Sequence, residues 1–445
     1  MSAAAAIIVT GFGFGLLATL AIARPPAQPV TPAPTPVYTP APTPAPTPAA
    51  QHQSPNERIE LIGEATIPAD ASDLSGLTGE MPSAGGPIPA SRLGSMGSAI
   101  DWMGPGASNR WLMASDRGPL DGGVDYPCRW HVLEFTLPAT SGEPSSATVP
   151  TVAWKVVNTT ILSGPDGAFT GLAARFNRAA MARSRRLDPE GVRVLPGTAG
   201  EGAALRVLLS DEYAPSVRLF DAQGVQIKAF LIPEPYGIAR ADANPDNEDA
   251  MNAAGRVANR GFEGLALSPD GRLAVAVPQS PLLQDGGKMG RFVRLLRLEL
   301  GTGASTQIVY PLGDSNYVLS EGLWLDEHRL LTIERDGQVG KRAGFKAIML
   351  ADTRGCSDVS GLSALPRRSL PGMVMPARTR VLIDLLDDRF RLAGANFPEK
   401  IEGLCWGPTM TDGRRVLVVA SDNDLLPEQP TRVWFFAVPM KVLEP

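Results

Sequence analysis

The chain has 445 residues, a net charge of −5 and an isoelectric point near 5.5. That balance excludes the basic footprint of a nucleic-acid binder, and three widely spaced cysteines, Cys128, Cys356 and Cys405, exclude a disulfide framework and a zinc cluster. Its 46 glycines and 42 prolines suit many short strands joined by turns, in a chain long enough for one large domain or two ordinary ones.

Residues 1–23 are uncharged and apolar, and Ala21-Ile22-Ala23 fits a small-residue cleavage site. The run is also long enough to span a bilayer and lacks a basic residue in front of it, so it reads as a signal peptide or a membrane anchor. Either way the protein is expected to be exported: periplasmic, secreted or anchored at the cell surface, with membrane contact only through this segment if it is retained. Its "GFGFG" (11–15) is no phosphate loop, because no strand–turn–helix context surrounds it. Residues 24–57 form a Pro/Thr/Ala tract that cannot build a core and reads as a disordered, polyproline-like linker or stalk. The folded domain is expected over 58–445.

Within that domain no long stretch has helical periodicity. The one helix candidate, "GLAARFNRAAMARSRR" (171–186), could equally be a loop rich in arginine. Short β-rich runs bounded by Gly, Pro, Asp and Ser predict an all-β domain, and self-similarity sharpens that reading. Four units share an acid–glycine pair, an apolar run, a turn and a second apolar strand, which in most units ends in acids. The pairs stand in "DPEGVRVLPG" (188–197), "GFEGLALSPDGRLAVA" (261–276), "SEGLWL" (320–325) and "IEGLCW" (401–406). Second strands end "LMASDRG" (112–118), "VLLSDEY" (207–213), "LTIERDG" (331–337) and "VVASDND" (418–424), and third strands such as "RFVRLLRLEL" follow. Units of roughly 60 residues over a folded length of about 385 predict a six-bladed β-propeller. Five blades are identifiable, and the sixth is expected to be split between segments near 59–77 and 150–180. Spacings of 73, 58 and 81 residues between the acid–glycine pairs require long loops, at 234–260 and 353–378.

A carboxylate at the head of each inner strand would point toward one channel mouth, gathering Glu190, Glu263, Glu321 and Glu402 into a ring. The glycine after each acid would let neighbouring backbones approach closely. Such acids either accept backbone N–H groups from the next blade or share a hard cation, since bare like charges raise one another's pKa. Oxygen-only ligands select calcium or magnesium.

These motifs, together with "LSGL" (74–77) and "LSDEYAPSVRLFD" (209–221), run in order over roughly 60–440 and resemble the phytase-like domain family, described by its esterase-like activity of phytase. The resemblance implies a secreted or periplasmic β-propeller that hydrolyses phosphate or carboxylic esters. One unit departs from the pattern: after Glu263 the second strand ends "AVAVPQSPL", with Pro278 and Gln279 in place of an acid. The dense carboxylate clusters and lysines of propeller phytases are also not obvious.

Missing motifs narrow the chemistry. His52, His131 and His328 are the three histidines, and neither an Arg-His-Gly motif nor a G-x-S-x-G elbow occurs. "GDSN" (313–316) reads as a plain turn. Metal-assisted hydrolysis remains, with calcium clamping substrate oxygens and activating water. Expected ligands are Glu190, Asp211, Glu212, Glu263, Glu321 and Glu402, joined by Asp116, Glu334 and Asp422 at equivalent strand ends. Glu263 and Glu321 are expected to be catalytic with Arg117 and Arg335, whose guanidinium forks would grip a phosphate; an inter-blade ion pair is the blander role for each arginine. The expected partner is a small ester or phosphoester, bound by a monomer. Two alternatives stand beside this: a non-catalytic binding propeller of the cell envelope, and a lactonase-like calcium propeller enzyme.

Overall fold

A computed structural model describes residues 58–444 apart from 139–148, 177–178, 180–182, 201–203 and 243. The expected leader (1–23) and linker (24–57) lie outside the described residues. Among the described residues no helix is long and apolar enough to cross a membrane.

Five four-stranded antiparallel sheets follow one another as the blades of a propeller. Their inner strands are Ala99–Trp102, Pro189–Val194, Phe262–Leu267, Val318–Asp326 and Ile401–Thr409. The second strands are Arg110–Ala114, Arg206–Asp211, Leu273–Pro278, Arg329–Arg335 and Arg415–Ser421. The fifth blade takes its outermost strand from the start of the domain: Glu60–Ile67 pairs antiparallel with Thr431–Val438 and closes the ring.

The expected six blades are therefore five. Both segments assigned to a sixth blade are outer strands, Glu60–Ile67 in the fifth blade and Ala153–Ile161 in the first. The surplus length lies in the two long loops. One crosses from the fourth blade to the third, where the amide of Val359 donates to Gln307 O at 2.8 Å. The other carries the α-helix Pro245–Met251, started by Asn244, whose side chain accepts from the amides of Asp246 and Asn247. The described residues of the candidate helix at 171–186 show 3-10 rather than α-helical geometry, as in the short turn Ala173–Arg175.

Five apolar clusters fill the seams between neighbouring blades, and two smaller ones lie under the loops. Because both faces of a blade are covered, an inner strand such as Phe262–Leu267 is buried at every position and reads as a continuous apolar run. In the closing seam Trp111, Phe135 and Phe435 meet edge to face at 5.4–6.0 Å, and Cys405 is buried there as a small apolar residue. A chain begun at Arg58 keeps the closing strand and is expected to melt with the full-length protein. One begun after Ile67 loses Ile59 and Ile67 from these seams, at least about 3 kcal/mol of burial; urea melts of the two truncations check the difference.

Candidate functional site

Backbone pairing explains the acid–glycine repeat. In the second, third and fifth blades the ladder skips one inner-strand residue: Pro189 and Gly191, Phe262 and Gly264, and Ile401 and Gly403 pair with consecutive partners. Glu190, Glu263 and Glu402 are the bulge residues left between them. A bulge re-aims a side chain, and it brings these three to one mouth. The following glycine is needed because adjacent inner strands nearly touch. A Cβ on Gly264 would lie 2.6 Å from Glu321 Cα, and one on Gly191 2.7 Å from Leu265 Cβ.

The fourth blade is out of step by one residue. Leu319 pairs with Glu334 and Glu321 with Ile333, so Ser320 is the bulge and Glu321 takes the glycine's place. A one-residue slip turns a side chain to the opposite side. Glu321 thus leaves the expected ring of four and lies deeper, ion-paired to Arg193 at 3.1 Å and accepting from the amides of Leu265 and Gly322, both at 2.8 Å. Burial pushes its pKa up to about 8. The Arg193 guanidinium donates to the carbonyls of Ile100, Val192, Gly322 and Leu404 at 2.5–3.1 Å. Together the pair ties all five inner strands across the channel. The first blade has no acid at its mouth, because a side chain on Gly97 would stand 1.9 Å from Ser421 O.

The three remaining glutamates offer oxygens within 4.8 Å of one another. All are buried, and the carboxylate of Glu190 has no hydrogen-bond or ion-pair partner among the described residues. Burial, then Glu263, Asp188, Glu212 and Glu402, push the Glu190 pKa well above the carboxylate range. Burial followed by Glu212 and Glu402 does the same to Glu263, which lies close enough to Glu212 to share a proton. Gln279, where the third blade lacks an acid, donates its amide to Glu263 at 2.5 Å. An orphaned buried carboxylate among oxygen-only donors fits a hard cation such as calcium.

The other expected residues take different roles. Arg117 donates to Asp188 and Glu212 at 2.9 and 3.3 Å, two of the three acids in the triad Asp188, Glu190 and Glu212. Arg335 reaches Ser320 and Glu402, both at 2.7 Å. Both arginines line the mouth and are already paired with acids there. Asp116 and Asp422 form a separate group with Asp424 in the closing seam, where Lys400 donates to Asp424 at 2.5 Å. Burial lifts the Asp116 pKa to about 7. Asp211 organises its own turn, accepting from the amides of Asp188 and Tyr213 and from Ser216 Oγ at 3.1–3.2 Å. Glu334 accepts from Tyr310 Oη and Gly313 N at 2.8 and 2.7 Å, away from the ring. His131 touches Ser115 Oγ at 3.2 Å, but both are buried and its other ring nitrogen meets Thr159, so no nucleophile arises.

Above the ring lies a cavity of about 360 Å³ whose wall includes Ala258, Asn259 and Arg260 from the long loop of the second blade. Sequence reasoning missed Arg260, which sits in a loop without a repeat to flag it. It is half-buried beside Glu212 and Glu263, and its guanidinium has no hydrogen-bond or ion-pair partner among the described residues. Five carboxylates (Glu190, Glu212, Glu263, Glu399, Glu402) and five cations (Arg117, Arg260, Lys288, Arg335, Lys400) line the cavity, so the lining has no net formal charge.

The chain is 27% identical over 318 residues to an uncharacterized secreted protein of Arthroderma benhamiae, covering 60% of this chain and 57% of that one. It thus spans little more than half that relative's length. Among solved structures it is similar to a GH43 β-1,3-galactosidase (TM-score 0.39, 9% identity, 82% of this chain and 94% of that one). It is also similar to a soluble aldose sugar dehydrogenase of Escherichia coli (TM-score 0.29, 12% identity, 85% and 99%). Likeness at these scores says nothing of chemistry. The family model for esterase-like activity of phytase matches residues 91–425, from the first blade into the last, and the chain belongs to the Phytase-like family.

Proposed function

We propose that the chain is an exported ester hydrolase acting at this mouth on phosphate esters, with calcium held by Glu190, Glu263 and Glu402. The carrying observation is Glu190: a carboxylate 4% exposed, without a donor, facing two more carboxylates. When bound, calcium would polarise a substrate oxygen and lower the pKa of water. The residues themselves have separable tasks. Arg117 and Arg335 hold Glu212 and Glu402 in place, and Glu212, whose pKa burial raises, can take up or release a proton beside the substrate. The unpaired guanidinium of Arg260 would bind an anionic group bidentately. A cavity of zero net formal charge takes a dication and a phosphate dianion together without imbalance, which favours phosphate esters over lactones. Export is supported by the apolar leader and by the secreted relative.

Hydrolysis of a phosphomonoester, a phosphodiester and a lactone, each with calcium and with chelator, tests this reading. Phosphomonoester turnover abolished by chelator is expected, and no turnover of any ester under calcium rejects it. Arg260→Ala is expected to raise KM for the phosphomonoester by about tenfold while leaving neutral esters within about twofold; steady-state kinetics on both substrates checks the split.

A second reading is a non-catalytic binding propeller. It is favoured by the resident cations: Arg117 and Arg335 already pair with Glu212 and Glu402 of the mouth. In that case the carboxylates fasten blades, and calcium leaves both stability and esters untouched.

A further inference from the structure

At the opposite ends of the inner strands, away from the carboxylates, a concavity of about 550 Å³ opens in the seam between the first and fifth blades. Its wall is apolar: Trp102 at the end of the first inner strand, Pro105, Pro408 and Met440. The indole N–H of Trp102 is committed to Ser108 O at 3.0 Å, which leaves the ring as hydrocarbon surface. One charged residue lines the space, Arg415, which opens the second strand of the fifth blade. Its guanidinium stacks on the Trp406 ring at 4.8 Å and has no hydrogen-bond acceptor or ion-pair partner among the described residues. The neighbouring Arg414 is bound to Asp412 and Glu60. Asp101, the acid whose charge reaches Arg415, accepts instead from the amide of Val194 at 2.7 Å.

We propose that this concavity is a binding site for small carboxylates with an apolar body, independent of the acid-lined mouth. A guanidinium fork without an acceptor matches a carboxylate bidentately, and the cavity has the size of sites that enclose small organic ligands. A free phosphate would engage the same fork. It would find no second cation and would leave the Trp102 and Met440 surfaces wet, whereas a carboxylate with a hydrocarbon body uses both parts of the wall. Burial lowers the pKa of Arg415, as it does for a cation short of partners.

Calorimetric titration of the full chain with 4-phenylbutyrate and with its uncharged isostere 4-phenylbutanamide tests the proposal. The acid is expected to saturate one site per chain and to bind about tenfold or more tighter than the amide. Arg415→Gln should abolish that preference, Arg415→Lys should retain part of it, and Trp102→Ala should weaken both compounds. Equal affinities for acid and amide, no saturation by the acid up to about 10 mM, or an unchanged preference in a folded Arg415→Gln would overturn it. Should both Arg415 variants fail to fold, the acid-to-amide ratio on the unaltered chain decides the matter.

Discussion

Arg193→Met is expected to destabilise the domain by about 3–5 kcal/mol, because it strips the partner from a buried carboxylate. Arg193 is the donor for carbonyls of four inner strands, and Glu321 receives the amide of the remaining one. Loss of the guanidinium leaves four carbonyls with one donor fewer and Glu321 without a counter-charge once it ionises. The loss should depend on pH in a defined direction. Glu321 already holds its proton to about pH 8 in the fold against an ordinary value of 4.5, and removing Arg193 raises it further. Between those values the folded state carries a proton that the unfolded chain lacks, so stability falls as pH rises. Parent and variant share that slope up to about pH 8, and the deficit widens only above it, where the parent can ionise Glu321 beside Arg193 and the variant cannot, so it should be smaller at pH 5 than at pH 9. Adding Glu321→Gln keeps an acceptor for Leu265 and Gly322 while removing the charge, and should recover a large part of the loss. Urea unfolding of both single variants and the double variant at the two pH values measures the coupling; an additive cycle would mean that the pair does not fasten the ring.

Glu263→Gln is expected to lose most of the stabilisation that calcium provides to the unaltered protein. That stabilisation is about 2.7 kcal/mol at one hundred times the dissociation constant. Phosphomonoester hydrolysis should drop by at least about tenfold. In chelator the variant should be no less stable than the parent, because Glu263 is pressed by burial and by Glu212 and Glu402, and an amide relieves that repulsion. The sign with pH follows from the same crowding. Glu190, Glu212 and Glu263 all have raised pKa values. The fold holds protons there that the unfolded chain gives up, and without cation stability should decline as pH rises above about 5. Calcium replaces those protons and should flatten the decline. Glu80→Gln, at an exposed site outside the mouth, should alter none of this. Calorimetric melts with calcium and with chelator read both effects. A parent melting point indifferent to calcium removes the cation from the mouth and leaves the glutamates as blade fasteners.

Sequence reasoning reached Glu190, Glu263 and Glu402 through a local rule, the carboxylate before a glycine at the head of a buried strand. It misplaced Glu321 although the dipeptide is the same. What differs is the pairing of its strand with Arg329–Arg335, which moves the bulge to Ser320. Arg117 and Arg335 were likewise legible as cations beside acids. Whether a guanidinium faces a partner or open space depends on the neighbouring blade, and both are paired with acids, while Arg260 and Arg415 have no acceptor among the described residues.

The all-β class, the inner strands and the need for glycine beside each acid follow from the sequence by itself, because buried strands, turns and close backbone contacts leave their mark in adjacent residues. The blade number, the membership of the carboxylate ring and the charge left free in each cavity are decided only by the tertiary structure. Glu60–Ile67 becomes the outer strand of the fifth blade by pairing with residues more than 360 positions away, and no local pattern records which distant edge a strand will join. Register follows the same rule. It is fixed by contacts across the ladder, and a slip of one residue carried Glu321 from the mouth to the axis.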